Sequence, residues 1–101
     1  MDNKDQIKRI RQMERRLVRA SIAVRRLSNA LDKYEAVTDD IATLDKYYDS
    51  KEWQKDFADD EAGLLPEGLK RGVLSEDGIW NLLANCSELH DRITQLNSLK
   101  R

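Results

Sequence analysis

The chain has 101 residues, of which 40% are hydrophobic and 37% charged, with one proline, four glycines, one cysteine, one histidine and a formal net charge of −1. That length supplies one small domain with a thin core, and so ionic a composition belongs to helical bundles and coiled coils rather than to sandwiches or disulfide-knotted secreted domains. A near-neutral total removes the simplest electrostatic case for a nucleic-acid binder, and a single cysteine closes no internal disulfide. No strictly apolar run exceeds three residues, as in Ile22-Ala23-Val24 or Leu82-Leu83-Ala84, so no membrane-spanning segment is expected. The opening MDNKDQIKRI has no apolar signal-like core, and a cytoplasmic protein is expected.

All four glycines and Pro66 fall between positions 63 and 78, so the residues that break helices are confined to one window. From Ile10 the apolar residues step by three and four through Met13, Leu17, Ala20, Val24, Leu27, Leu31 and Tyr34, with Ile41 and Tyr48 in the same frame. This is a heptad seam with apolar residues at a and d. Thr38 falls on an a position and is followed by Asp39 and Asp40, a polar cap and an acidic first turn. A break near 37 to 39 is predicted there. The first helix is placed at about 3–36 and a short second one at about 39–48.

Asp49-Ser50 caps a third helix at about 51–62, in which Trp53 and Phe57 are four apart and share a face. Gly63 stands where a C-terminal cap would be. A loop over 63–75 follows, and Ser75 caps a last helix at about 76–98 with Glu76 and Asp77 in its first turn. Ile79, Leu82, Leu83, Cys86, Leu89, Ile93 and Leu96 keep a three-four spacing along it. The expected architecture is all-α: a single helical domain over 1–101 built on an antiparallel pair of long helices, with two short helices and a Gly/Pro loop between them. The last helix spans about 35 Å and the first about 50 Å. Part of the first seam is therefore left for the short helices or for a second copy of the protein.

The neutral total hides a gradient. Residues 1 to 37 carry ten basic and five acidic groups, 38 to 69 carry three and ten, and 70 to 101 carry five and four. Between Lys8 and Arg26 stand eight cations and the single acid Glu14, and the cations occupy b, c, f and g of the heptad. Arg11, Arg15, Arg19, Arg25 and Arg26, with the off-seam apolar pair Val18 and Ile22, make up a candidate interaction surface. It would meet the acidic segment of the same chain or of a neighbour, or alternatively the phosphates of a nucleic acid. No aromatic residue interleaves with these cations, which weighs against a single-strand binder.

Signals for catalysis are weak. His90 follows Cys86 by four residues, which puts a thiol and a base on one helix face, but nothing nearby orients the base, and Cys86 is in phase with the apolar stripe. One His and one Cys fall short of a structural zinc site. Asp56 and Asp60, one turn apart, lack the spacing and central glycine of a calcium loop. Gly68 and Gly72 match neither nucleotide-binding fingerprint, and Lys70-Arg71 either touch an anion or finish a turn. No enzyme activity, cofactor or metal is expected.

The stretches YYDSKEWQKDFADDEAGLLP and LKRGVLSEDGIWNLL, with the opening RIRQMERRL and the segment from Leu27 to Tyr34, resemble a small bacterial family defined as domain of unknown function 4298. The resemblance covers most of the chain and implies a cytoplasmic helical protein. It brings no activity, ligand or catalytic residue with it. Within the distinctive segment, Trp53, Phe57 and Trp80 are expected to form a structural aromatic cluster with Leu64, Leu65, Val73 and Leu74 that pins the 63 to 78 loop; the alternative is a groove for a peptide or small ligand. The expected function is that of a helical interaction module, self-associating or binding a protein partner, with a nucleic-acid-associated accessory protein as the alternative.

Overall fold

The computed structural model describes residues 3–99. They form four α-helices and one 3₁₀ turn: α1 (Lys4–Ala36), α2 (Thr38–Tyr48), α3 (Lys51–Glu61), the 3₁₀ turn (Gly72–Leu74) and α4 (Gly78–Leu99). No strand occurs among the described residues. The fold class is all-α, with two long helices and, between them in sequence, two short helices and the Gly/Pro segment. The chain forms two compact units, one ending at Thr38 and one starting at Asp39.

The first unit is α1. Its 33 residues contain no Gly or Pro, and Ala, Leu, Arg, Lys, Gln and Glu, which lose little side-chain freedom in a helix, dominate it. It ends where Val37 and Thr38 place two β-branched residues in succession. The Val37 amide turns back to the Tyr34 carbonyl at 3.0 Å. The Thr38 hydroxyl donates to the Glu35 carbonyl at 2.9 Å, the side-chain competition with the backbone ladder that Thr favours at a helix end. Thr38 therefore closes α1 through its hydroxyl rather than acting as the side-chain acceptor expected of a cap. The break itself is confined to one residue, after which Asp39 and Asp40 sit in the first turn of α2.

In the second unit, α2 and α3 are joined by a tight turn at Asp49-Ser50. The Ser50 hydroxyl donates to the Tyr47 carbonyl at 2.6 Å and accepts the Trp53 amide at 3.1 Å, so one side chain ends α2 and caps α3. α3 stops at Ala62, followed by Gly63 in the left-handed region at φ 74°. The Gly63 amide bonds the Asp60 carbonyl and the Leu64 amide the Asp59 carbonyl, each at 3.0 Å, the paired bonds of a Schellman termination. The chain then runs through the Pro66 segment to the 3₁₀ turn, which packs against both α3 and α4.

The core of this unit is small. Leu74 in the 3₁₀ turn and Ile79 in the first turn of α4 are buried, at 6% and 3% exposure. Leu82, Leu83 and Cys86 extend the same face of α4 and are half-buried, whereas everything from Ser87 to Leu99 is exposed. α4 begins two residues later than the sequence suggests, because 75 to 77 bend out of the 3₁₀ turn and leave Glu76 and Asp77 outside the helix. Ser75 still acts as the cap: its hydroxyl accepts the Gly78 amide at 3.0 Å while donating to the Gly72 carbonyl at 2.8 Å.

Gly78 sits where the chain passes closest to itself. A Cβ on this residue would meet the Gly72 carbonyl oxygen well inside van der Waals contact and the Ser75 Oγ at 2.6 Å. Gly68, in the same segment, has nothing within 4 Å. Gly78→Ala is expected to lower stability by about 1–3 kcal/mol, the cost of forcing backbone apart, with Gly68→Ala near neutral; paired denaturant unfolding curves measure the difference.

Candidate interaction surfaces

None of the residues of α1 is buried. Along the heptad seam Ile10 is 52% exposed, Leu17 60%, Val24 68% and Leu27 57%, so the apolar edge is more than half exposed over these positions. Behind it, Val18 is exposed and Ile22 half-buried. The helical neighbours of Ile22 three and four residues away are Val18, Arg19, Arg25 and Arg26, whose aliphatic stems lie on the same face. Arg15 and Arg11 continue this face toward the N-terminus, two and three turns before Ile22. Arg11, Arg15, Val18, Arg19, Ile22, Arg25 and Arg26 thus form one continuous outer stripe. All five arginines are exposed, and none of the eight cations between Lys8 and Arg26 is ion-paired among the described residues. The furrow between Gln12, Arg15, Arg16 and Arg19 is shallow and open to solvent.

The distinctive segment of the second unit is organised by an aromatic stack and an arginine. Trp53 stacks on Phe57 at 5.1 Å with ring planes 23° apart, and Tyr48 meets Trp53 in an edge-to-face arrangement at 5.0 Å. The Trp53 indole N–H donates to the Val73 carbonyl at 2.8 Å, across twenty residues of sequence, and so pins the 3₁₀ turn to α3. Leu65 is half-buried, Leu64 is 71% exposed, and Trp80 is 58% exposed and outside the stack. Arg71 completes the brace: its guanidinium donates to the Asp60 carboxylate and the Pro66 carbonyl, and its Nε to the Leu69 carbonyl at 3.3 Å. Of the two roles open to Arg71 in the sequence, this geometry is the internal one. Tyr48 and Arg71 were not among the expected cluster residues. The spacing of Tyr48 from Trp53 across a Ser cap and the place of Arg71 just after the Gly/Pro segment are the signals that point to them.

Asp56, Asp59 and Asp60 of α3 each have a partner. Asp56 accepts the Tyr47 hydroxyl at 2.6 Å, Asp60 holds Arg71, and Asp59 pairs with Lys55 at 2.8 Å. That last hydrogen bond, reinforced by the Asp59 charge, raises the pKa of the exposed Lys55 ammonium above its usual value. Among the described residues no group of three or more His, Cys, Asp or Glu is placed to hold a metal ion. Cys86 is half-buried and His90 exposed one turn further along α4. Among the described residues no helix is long and apolar enough to cross a membrane.

A family model described as a domain of unknown function, DUF4298, matches residues 10–96. The chain belongs to the DUF4298 family. No curated protein and no solved structure matches it. The matched span takes in the whole seam of α1 from Ile10, the aromatic stack, the Arg71 brace and α4 as far as Leu96, so these features lie within the DUF4298 domain.

One contact in the DUF4298 domain has a defined pH dependence. Burial, then the hydrogen bond to Asp56 and the charges of Asp56 and Glu52, push the Tyr47 phenol up to about 12 from its usual 10.0. Only the neutral phenol can donate to the carboxylate. The stabilisation from this bond is therefore fully present below the unfolded value near pH 10 and is lost as pH rises through about 12. In a near-ultraviolet phenolate titration Tyr47 is expected to give the component that Tyr47→Phe deletes, with its midpoint above the ordinary tyrosine range. The stability advantage of the parent over Tyr47→Phe is expected to vanish across the same interval.

Proposed function

We propose that the DUF4298 domain is a non-enzymatic helical interaction module that acts in the cytoplasm and self-associates through the apolar seam of α1. The observation that carries this reading is the exposed edge from Ile10 to Leu31: a heptad pattern kept over three turns of the repeat in which no side chain is buried. Continuous apolar stripes on a soluble helix mark a surface that a partner covers, and a seam in a–d phase is shaped to receive another helix in the same phase. The non-enzymatic reading is supported by Cys86, which is half-buried in phase with Leu82 and Leu83 on the apolar face of α4, the setting of a structural thiol. A lone thiol, with no disulfide to maintain, suits a reducing compartment.

Sedimentation velocity over a range of concentrations tests this directly. The parent is expected to shift from monomer toward dimer as concentration rises, and Leu17→Asp combined with Leu27→Asp is expected to remain monomeric. A parent that stays monomeric at every concentration overturns the reading.

A second reading is favoured by the eight exposed, unpaired cations of α1. Clustered Lys and Arg on one helix are sufficient for sequence-independent contacts to phosphates. On this reading the DUF4298 domain is an accessory protein that associates with nucleic acid through Arg11, Arg15, Arg19, Arg25 and Arg26. Retention of duplex DNA or RNA in a mobility-shift titration is then expected at low salt and is expected to fall steeply as salt is added. No retention even at low salt removes it.

A further inference from the structure

The outer stripe of α1 lies on the face away from the seam, and its make-up differs from that of a merely solvated surface. Between residues 11 and 26 there are eight b, c and f positions: Arg11, Arg15, Arg19, Arg25 and Arg26 fill five, Gln12 one, and Val18 and Ile22 the other two. No acid stands among them. Val and Ile are poorer helix formers than the Gln, Lys or Ala that solubility alone would place there. The two stand one turn apart on the same face, near the middle of the arginines, Val18 exposed and Ile22 half-buried. We infer that this stripe docks an acidic amphipathic helix of another protein, which lays two apolar residues a turn apart on Val18 and Ile22 and sets carboxylates against the arginines on either side.

The occupant's chemistry follows from the charge and the apolar pair together. A second copy of α1 on this face is repelled, because it would bring the same five arginines. The chain's own acids leave the stripe open: none of the five arginines is ion-paired among the described residues, and Asp56, Asp59 and Asp60 are taken by Tyr47, Lys55 and Arg71. A phosphate backbone would satisfy the cations but offers nothing apolar to cover Val18 and Ile22. An acidic helix does both.

Arg11 and Arg15 lie before the apolar pair and Arg25 and Arg26 after it, about 22 Å from first to last, so a partner of about four turns reaches all of them. Arginine forks pair with carboxylates through two parallel hydrogen bonds, and their stems extend the apolar strip. A small apolar centre ringed by arginines is the arrangement in which a few residues carry most of the binding energy. One helix laid on one helix falls below the area of a stable complex, so the contact is transient and weakened by salt. The stripe faces away from the seam, so this proposal and the self-association proposed above stand or fall separately.

Fluorescence anisotropy on the full chain at low salt tests it with three labelled probes. The first is an Ala/Glu peptide of about five turns with two central Leu residues four apart and Glu one and two turns to either side on the same face. The second has both Leu residues changed to Ala, and the third is a short duplex DNA. The expected result is micromolar binding of the Leu peptide, several-fold tighter than that of the Ala peptide and weakened as salt is added; this comparison needs no variant of the protein. Val18→Gln combined with Ile22→Gln is expected to bring the Leu peptide down to the level of the Ala peptide. Leu17→Gln combined with Leu27→Gln, on the seam, is expected to leave its affinity unchanged, with circular dichroism checking that both variants keep the parent's helix content. Equal binding of the two peptides, loss of binding in the seam variant, or no retention of any probe overturns the proposal. So does a duplex bound more tightly than the Leu peptide and indifferent to the Val18 and Ile22 substitutions, which assigns the stripe to phosphates.

Discussion

A helix of 33 residues with no buried side chain is held by little more than its own backbone ladder, and each residue added to such a ladder contributes close to nothing in net free energy. The amino-terminal unit lives under this constraint. Its seam residues are about half exposed, and each retains on the order of 1 kcal/mol of burial not yet realised. Over eight seam positions that is comparable with the whole stability of a small domain. The absence of Gly and Pro keeps the ladder intact, but the a–d phase, which does nothing for an isolated helix, has physical meaning only when something covers it.

The carboxyl-terminal unit meets the opposite problem. It has several elements to hold together and, among its described residues, only Leu74 and Ile79 buried, far less core than a domain of its length ordinarily uses. It relies on side chains that bond backbone. Trp53 reaches the Val73 carbonyl, Arg71 the carbonyls of Pro66 and Leu69, and Ser50 and Ser75 each close one turn and open the next. Such bonds are individually worth about 1 kcal/mol, but they fix the path of a segment whose backbone groups would otherwise need water. The conjunction of Trp, Gly, Pro and acids in this stretch follows from that: the indole and guanidinium bridge, the glycines permit close approach, and the acids receive Arg71, Tyr47 and Lys55.

Periodicity and breakers made the helices legible, because a three-four apolar spacing and a single window of Gly and Pro leave few other assignments. The break near 37 to 39 and the cap at Ser50 were readable from polar capping residues, Thr38 followed by two acids and Asp49-Ser50, placed ahead of a helical pattern. The start of α4 was not. Ser-Glu-Asp reads as a cap and an acidic first turn, and the bend that holds Glu76 and Asp77 outside the helix is set by the 3₁₀ turn and by Gly78 lying against the Gly72 carbonyl, six residues away, with the Ser75 hydroxyl bridging the two. Of the expected aromatic cluster, Trp53 and Phe57 meet as their spacing of four suggests. Trp80 stands apart because its neighbour Ile79 takes the inward position of that turn. Arg71 was hidden for a different reason: a cation beside a glycine carries no periodic signal, and its role depends on carbonyls brought near by the Schellman turn at Gly63.

The outer stripe of α1 and its apolar seam are on different faces of one cylinder, and this decides how the two functional readings relate. Pairing along a and d leaves b, c and f outside, so Arg11, Arg15, Arg19, Arg25 and Arg26 stay solvated in a dimer and are not consumed by it. Salt then acts on the two surfaces with opposite sign. Bringing two cationic helices together is opposed by their mutual repulsion, which added salt screens within about 8 Å at physiological strength, so the proposed self-association would strengthen as salt rises. A phosphate polymer on the outer stripe releases counterions, and its affinity falls as salt rises. If both readings hold, the charge placement that would oppose pairing of α1 at low salt is the same placement through which an anionic polymer, by neutralising the stripe, would promote it.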